Sequence, residues 1–99
     1  MKAICLHSKD EIEAFLRHNT FLHLYELGDL DDFFWPYTTW YALQDALNIQ
    51  ELALLYTSMS LPVLLGISEH PDGMYELLRA IRHLLPKHFL MSWNSIYSL

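Results

Sequence analysis

Four groups of side chains in this 99-residue sequence have types and spacings that chemistry can use. Cys5 and His7 are two apart and would share one face of a strand, a thiol beside a base. A nucleophilic thiol also needs a third group to orient its base. None is evident, so Cys5 reads as a buried structural cysteine. His18 and His23 are five apart, as are His83 and His88. On a helix such residues point about 140° away from each other. Neither pair makes the i,i+4 face of a metal site, and Pro86 interrupts the second pair. They read as surface histidines, and no metal site is expected. Glu26, Asp29, Asp31 and Asp32 stand directly before Phe33-Phe34-Trp35. Glu26 and Asp29, three apart, would share a helix face. Carboxylates beside aromatic walls hold a cationic amine by charge pairing and cation–π contact. A carboxylate whose pKa is raised by burial can serve as a general base. The alternative is a solvated helix end followed by core aromatics. Trp35, Tyr37, Trp40 and Tyr41 read as core or subunit interface ahead of a ligand cage.

Composition bounds what these groups can belong to. The length allows one domain with a real core. A 53% hydrophobic content, with five Phe, six Tyr and three Trp, argues for packing and against disorder. Twelve acidic residues against six basic ones, net −6, argue against nucleic acid and against an anionic membrane surface. The acidity fits a cationic partner or amine substrate, or plain solubility. Cys5 is the one cysteine, so no internal disulfide is available and a reduced, cytoplasmic setting is the simplest inference. The start MKAICLHSKDEIE lacks a signal-peptide apolar run. Leu52 to Ile67, the most apolar stretch, is too short and interrupted to span a bilayer.

The elements that must position these residues follow from local pattern. Lys2 to Leu6 reads as a strand. Ser8-Lys9-Asp10-Glu11 forms a capping box. Ile12, Phe15 and Leu16 give an apolar face to a helix ending near His18-Asn19. Thr20 would cap a second helix from Phe21 to about Asp31. Gly28 weakens that helix by roughly 1 kcal/mol relative to alanine, and marks either a close backbone approach or an early end. Asp31 to Tyr37 is an aromatic loop, with Pro36 disfavouring helix at Trp35. Thr38 to Leu43 reads as a strand, Gln44 to Gln50 as a turn, and Glu51 to Ser58 and Leu61 to Ile67 as two more strands. Helix formers between Ala42 and Leu55 keep a helix there as a live alternative. Pro71 to Leu85 is the most secure helix. Met74, Leu77, Leu78, Ile81 and Leu85 make one stripe, Pro71 suits the first turn, and Pro86 stops it. His88 to Trp93 completes the strands, and 94–99 read as a loose tail.

The order strand, helix, helix, three strands, long helix, strand resembles the first part of the GNAT N-acetyltransferase fold. Asn19-Thr20-Phe21-Leu22-His23-Leu24-Tyr25-Glu26-Leu27-Gly28-Asp29-Leu30 is similar to the helical segment of a subset of that family. Phe34 to Tyr41 resembles the loop and strand that follow it. Leu54-Leu55-Tyr56-Thr57 and Pro62-Val63-Leu64-Leu65 resemble its paired central strands. The likeness spans roughly Ile4 to Phe89. It departs from the family where the long helix opens. A Gln/Arg-x-x-Gly-x-Gly/Ala loop there grips the acetyl-CoA pyrophosphate with backbone amides and the helix N-terminus. Here Ile67-Ser68-Glu69-His70-Pro71-Asp72-Gly73 has one glycine, an amide-removing proline and two carboxylates.

The resemblance implies an α/β fold: a mixed, mostly antiparallel sheet flanked by helices in β-α-α-β-β-β-α-β order, one domain over 1–93. It implies an N-terminal, non-catalytic half of a two-domain N-acetyltransferase-type protein, stopping before the acetyl-CoA-binding half. Such a half supports acetyl transfer from acetyl-CoA to an amine. It places the acceptor side at the two helices and the loop after them, making Glu26, Asp29, Asp32, Trp35 and Tyr37 the acceptor-contact candidates. No catalytic residue carries over, and no cofactor is expected on this chain. The partner would be a catalytic GNAT domain. The alternative is a homodimeric interaction module without enzymatic activity, burying Trp40, Tyr41 and an exposed strand edge. An independent acyl-CoA enzyme with an unusual cofactor loop is a third reading.

Overall fold

A computed structural model describes residues 1–46, 48–58 and 60–93. The described residues form five strands and three α-helices: β1 Lys2–Leu6, α1 Lys9–Leu16, α2 Leu24–Gly28, β2 Thr38–Asp45, β3 Asn48–Tyr56, β4 Val63–Gly66, α3 Pro71–Ile81 and β5 Leu90–Trp93. The strands make one sheet in chain order. Neighbours from β1 to β4 are antiparallel. β5 is parallel to β4, paired from Val63↔Leu90 to Gly66↔Trp93. A parallel return needs a crossover, and α3 supplies it. The sheet is therefore mixed and mostly antiparallel, and the class is α/β.

The helices cover opposite faces. Leu6, Trp40, Ala42, Leu52 and Leu54 pack with Ile12 and Leu16 of α1 and Leu30 after α2. Tyr41, Leu43, Ala53, Leu55 and Leu64 pack with Met74, Leu77 and Ile81 of α3. Burying both faces of β3 makes Glu51 to Leu55 a continuous buried run. That run explains why helix propensity misleads between Ala42 and Leu55. Differences of a few tenths of a kcal/mol per residue yield to two-sided packing.

Several boundaries differ from expectation. The turn expected over Gln44 to Gln50 is far tighter, because β2 runs to Asp45 and pairs there with Asn48. Ala46 in that turn has φ 54°, a left-handed conformation costing an alanine about 1–2 kcal/mol. A register shift at Leu43/Gln44 accommodates the extra residue on β3. The second helix is only five residues long. Thr20 cannot cap it, because its own backbone is helical (φ −60°, ψ −37°) and continues the 3-10 turn Arg17–Asn19; an N-cap needs extended backbone. The Asn19 Oδ1 accepts instead from the Leu22 amide, 3.2 Å away. Trp35 is not excluded from helical backbone. It opens a 3-10 turn, Trp35–Tyr37, with Pro36 inside its first turn. β4 is shorter than read, and α3 gives way to a 3-10 turn over Arg82–Leu84. The tail 94–99 lies outside the described residues.

One burial expectation is corrected, and one left open between core and interface falls to the core. Cys5 is exposed, because β1 is an outer strand and α3 covers only part of its face. Trp40 is 2% and Tyr41 7% exposed in the single chain. Each already packs under a helix, so neither has surface left to bury between copies.

Candidate functional site

A groove of about 240 Å³ opens beside the β4–α3 turn, between α1 and its 3-10 turn on one side and the start of β3 on the other. Phe15, His18, Asn19 and His23 form one wall. Ile49 to Glu51 form the floor, and Ile67 to His70 the other wall. Asn19 ties the walls together: its Nδ2 donates to Glu69 Oε1 at 2.9 Å, fifty residues away in sequence.

His23 sits where the chain enters α2 and is 5% exposed, which corrects its reading as a surface histidine. The break in helix between residues 19 and 24 lets His18 and His23 both approach Phe15, with ring centroids 6.3 and 6.1 Å away. His23 Nδ1 lies 3.1 Å from Glu26 Oε2. For that contact to be a hydrogen bond, Nδ1 carries the proton and donates. Glu26 is 1% exposed, and its Oε1 has no partner among the described residues. A buried carboxylate held by one neighbour costs desolvation free energy that surface residues never incur. With Nδ1 engaged, Nε2 is the His23 nitrogen left to meet a ligand or a proton.

Glu51 is the second buried carboxylate, 4% exposed within an otherwise apolar strand. The Ser68 hydroxyl donates to its Oε1, while Ser68 Oγ accepts from the His70 amide at 2.8 Å. Burial pushes the Glu51 carboxyl above its ordinary range. The Ser68 hydrogen bond and then His70 and His23 pull it down, and Glu69 adds to the rise. The other carboxylate oxygen lies against the first turn of α3: a methyl group at Gly73 would come within 3.1 Å of Glu51 Oε2 and 3.0 Å of its Cγ. The start of α3 thus has a carboxylate of the chain's own packed against it. That position favours negative charge through the aligned peptide dipoles.

The five acceptor candidates fall into three places, and none lines this groove. Glu26 supports the groove from behind, through His23. Asp29 is half-buried beside it, and its carboxyl is raised first by burial and then by the charge of Glu26. Asp32 is fully exposed and takes a hydrogen bond from Lys9 Nζ at 2.8 Å, which holds its carboxyl below the usual range. Lys9 Nζ also lies 5.3 Å from the Trp35 ring centroid, and Trp35 stacks on Trp40 at 6.4 Å. The carboxylate-and-aromatic arrangement expected for a cationic amine is therefore realised around the chain's own Lys9. Tyr37 is exposed and packs edge-on against Tyr56. Sequence reasoning passed over Glu51, and met Asn19, Ser68 and His70 only as parts of the stretches compared with the family. The available signal was one glutamate in the run Ile49 to Tyr56, with the lone glycine of the following turn standing where α3 begins.

Among the described residues, no group of three or more His, Cys, Asp or Glu is placed to hold a metal ion. No described helix is long and apolar enough to cross a membrane. Comparison with protein-family models, with curated proteins and with solved structures finds no match.

Proposed function

We propose that the chain is a GNAT-like domain of the N-terminal type, non-catalytic by itself, which lines the amine-acceptor side for a catalytic GNAT domain. Two features support the topology: the β-α-α-β-β-β-α-β order, and a sheet whose last strand returns in parallel through the long helix. The single observation that carries the non-catalytic part is Glu51 against Gly73. A phosphate approaching this helix start meets a carboxylate already in place. It also meets Asp72 in the first turn and Pro71, which offers no amide. At 4 Å one such repulsion is worth about 4 kcal/mol at an effective dielectric of 20. The same carboxylate suits an ammonium group, whose charge offsets the cost of keeping Glu51 buried. In this reading Glu51 and Glu69 receive the cation, and His23, steadied by Glu26, faces its exchangeable protons. Acetyl-CoA is bound by the partner domain. The lone, unpaired Cys5 fits a cytoplasmic setting.

Calorimetric titration with acetyl-CoA and with CoA tests the reading. It requires no heat and no thermal stabilisation at about millimolar ligand, a level at which even weak sites fill. Saturable micromolar binding sinks it and brings the independent acyl-CoA enzyme forward. The acceptor arm is read by NMR titration with a small alkyl diamine. Amide shifts should gather at Glu51, Ser68 and His70 and disappear in Glu51→Gln. Shifts gathering at Asp32 and Trp35 would move the acceptor to the Lys9 pocket.

A further inference from the structure

A second hollow, of about 430 Å³, lies between α3 and β5 on the far side of the sheet from α1. Met74, Tyr75, Leu78, Leu85, Phe89 and Met91 make it apolar, and Arg79 and Arg82 stand at its rim. Its volume falls in the range of about 300–1,000 Å³ typical of small-molecule pockets, ample for one aromatic side chain. Of its lining, Tyr75 is 68% and Met91 42% exposed, apolar surface with no cover among the described residues.

The charge around this patch runs against the rest of the chain. The protein carries net −6, yet three of its six lysines and arginines, Arg79, Arg82 and Lys87, fall within nine residues here. Among the described residues the ion pairs use Lys9, Arg17 and His23, and neither rim arginine. The fitting occupant is an aromatic side chain preceded by carboxylates.

The chain itself presents that group. Phe33 is 74% exposed and follows Asp31 and Asp32, the latter paired with Lys9 yet itself fully exposed and open to a second cation. Its loop is already ordered. Asp31 Oδ1 accepts from the Phe33 amide at 2.9 Å, and the Asp31 carbonyl accepts from the amides of Phe34 and Trp35. Phe34 braces Phe33 edge-on at 5.1 Å. A side chain held out in a fixed loop loses little freedom on docking. We propose that the α3–β5 hollow receives the Asp31-Asp32-Phe33 loop of a second copy of this chain, Phe33 entering the hollow and the aspartates meeting Arg79 and Arg82. Loop and hollow are unlike surfaces. Two copies that exchange both contacts close as a two-fold pair, and copies that exchange one extend. This contact uses neither the amine groove nor the buried Trp40.

Sedimentation velocity of the full chain over a range of concentrations tests the proposal. The wild type should associate as concentration rises. Association should weaken in 1 M salt, where the Debye length shrinks to about 3 Å. Phe33→Ser, and the charge reversals Arg79→Glu/Arg82→Glu and Asp31→Lys/Asp32→Lys, should each weaken it by about tenfold or more. All of these positions are exposed, and circular dichroism checks that each variant is folded. Mixing the two charge-reversed proteins, made at different isotopic mass, should restore association as a mixed species in native mass spectrometry. A wild type that stays monomeric up to about 1 mM, a level exposing even the weakest specific contacts, overturns the proposal. So does association that neither reversal affects, or reversed partners that fail to combine.

Discussion

Gly73→Ala isolates the contact between Glu51 and the start of α3. The backbone does not forbid alanine there, since no described glycine has positive φ. In a helix the change would ordinarily stabilise, by at most about 1 kcal/mol. Here the new methyl meets three Glu51 side-chain atoms at 3.0–3.2 Å. Glu51 is 4% exposed and tied to Ser68, so it has little room to retreat. Overpacking of this kind costs about 1–3 kcal/mol. Gly73→Ala should therefore leave the protein between unchanged and about 2 kcal/mol less stable. In a Glu51→Ala background those three atoms are gone, and the same change should gain up to about 1 kcal/mol. Urea unfolding of the four proteins, with equal m-values, gives the coupling as the departure from additivity. The expected coupling is about 1–3 kcal/mol. If Gly73→Ala stabilises both backgrounds equally, to within about 0.5 kcal/mol, Glu51 does not fill this helix start and no longer bars phosphate from it.

Three further outcomes are expected. Burial raises the Glu51 carboxyl, so its contribution to stability is fully present below the ordinary value of 4.5 and is lost as pH rises through the folded-state value. Glu51→Gln should consequently gain on the wild type as pH climbs above 4.5, and parallel stability curves between acid and neutral pH would contradict this. Trp40→Ala should cost about 3–5 kcal/mol, as removal of a buried indole does, seen as a lowered thermal midpoint; a normal midpoint with a changed oligomeric mass would instead return Trp40 to an interface. Iodoacetamide should modify Cys5 stoichiometrically in native buffer, read by intact mass, whereas protection until denaturant is added would mean the thiol is covered.

Local signals carried much of this fold into legibility. The Ser8 hydroxyl does accept from the Glu11 amide, at 3.3 Å, and α1 follows. The stripe of Met74, Leu77 and Ile81 does face the sheet. What local pattern missed depends on partners distant in sequence. Asn19 bonds both Leu22 and Glu69 ahead of α2, which starts only at Leu24. The tight β2–β3 turn tolerates Ala46 because the long strand pairing around it outweighs one strained residue. The site was the least legible part. Glu51 looks like the polar start of a strand until α3 is laid over it, and His23 looks like a surface residue until Glu26 folds back against it.

The sheet's order also dictates a sequence of assembly. Asp45 and Asn48 close β2 on β3 across two residues, whereas β1 reaches β2 only after the chain has enclosed residues 7–39. Loop-closure entropy rises with the length enclosed, so the hairpin can form early while β1 arrives late. A late, outer strand is also the first to leave in partial opening. Hydrogen exchange should therefore release the β1 amides before those of β3. While β1 is away, the unpaired side of β2 stands open to other chains, which makes Lys2–Leu6 the guard of that side of the sheet against misassembly.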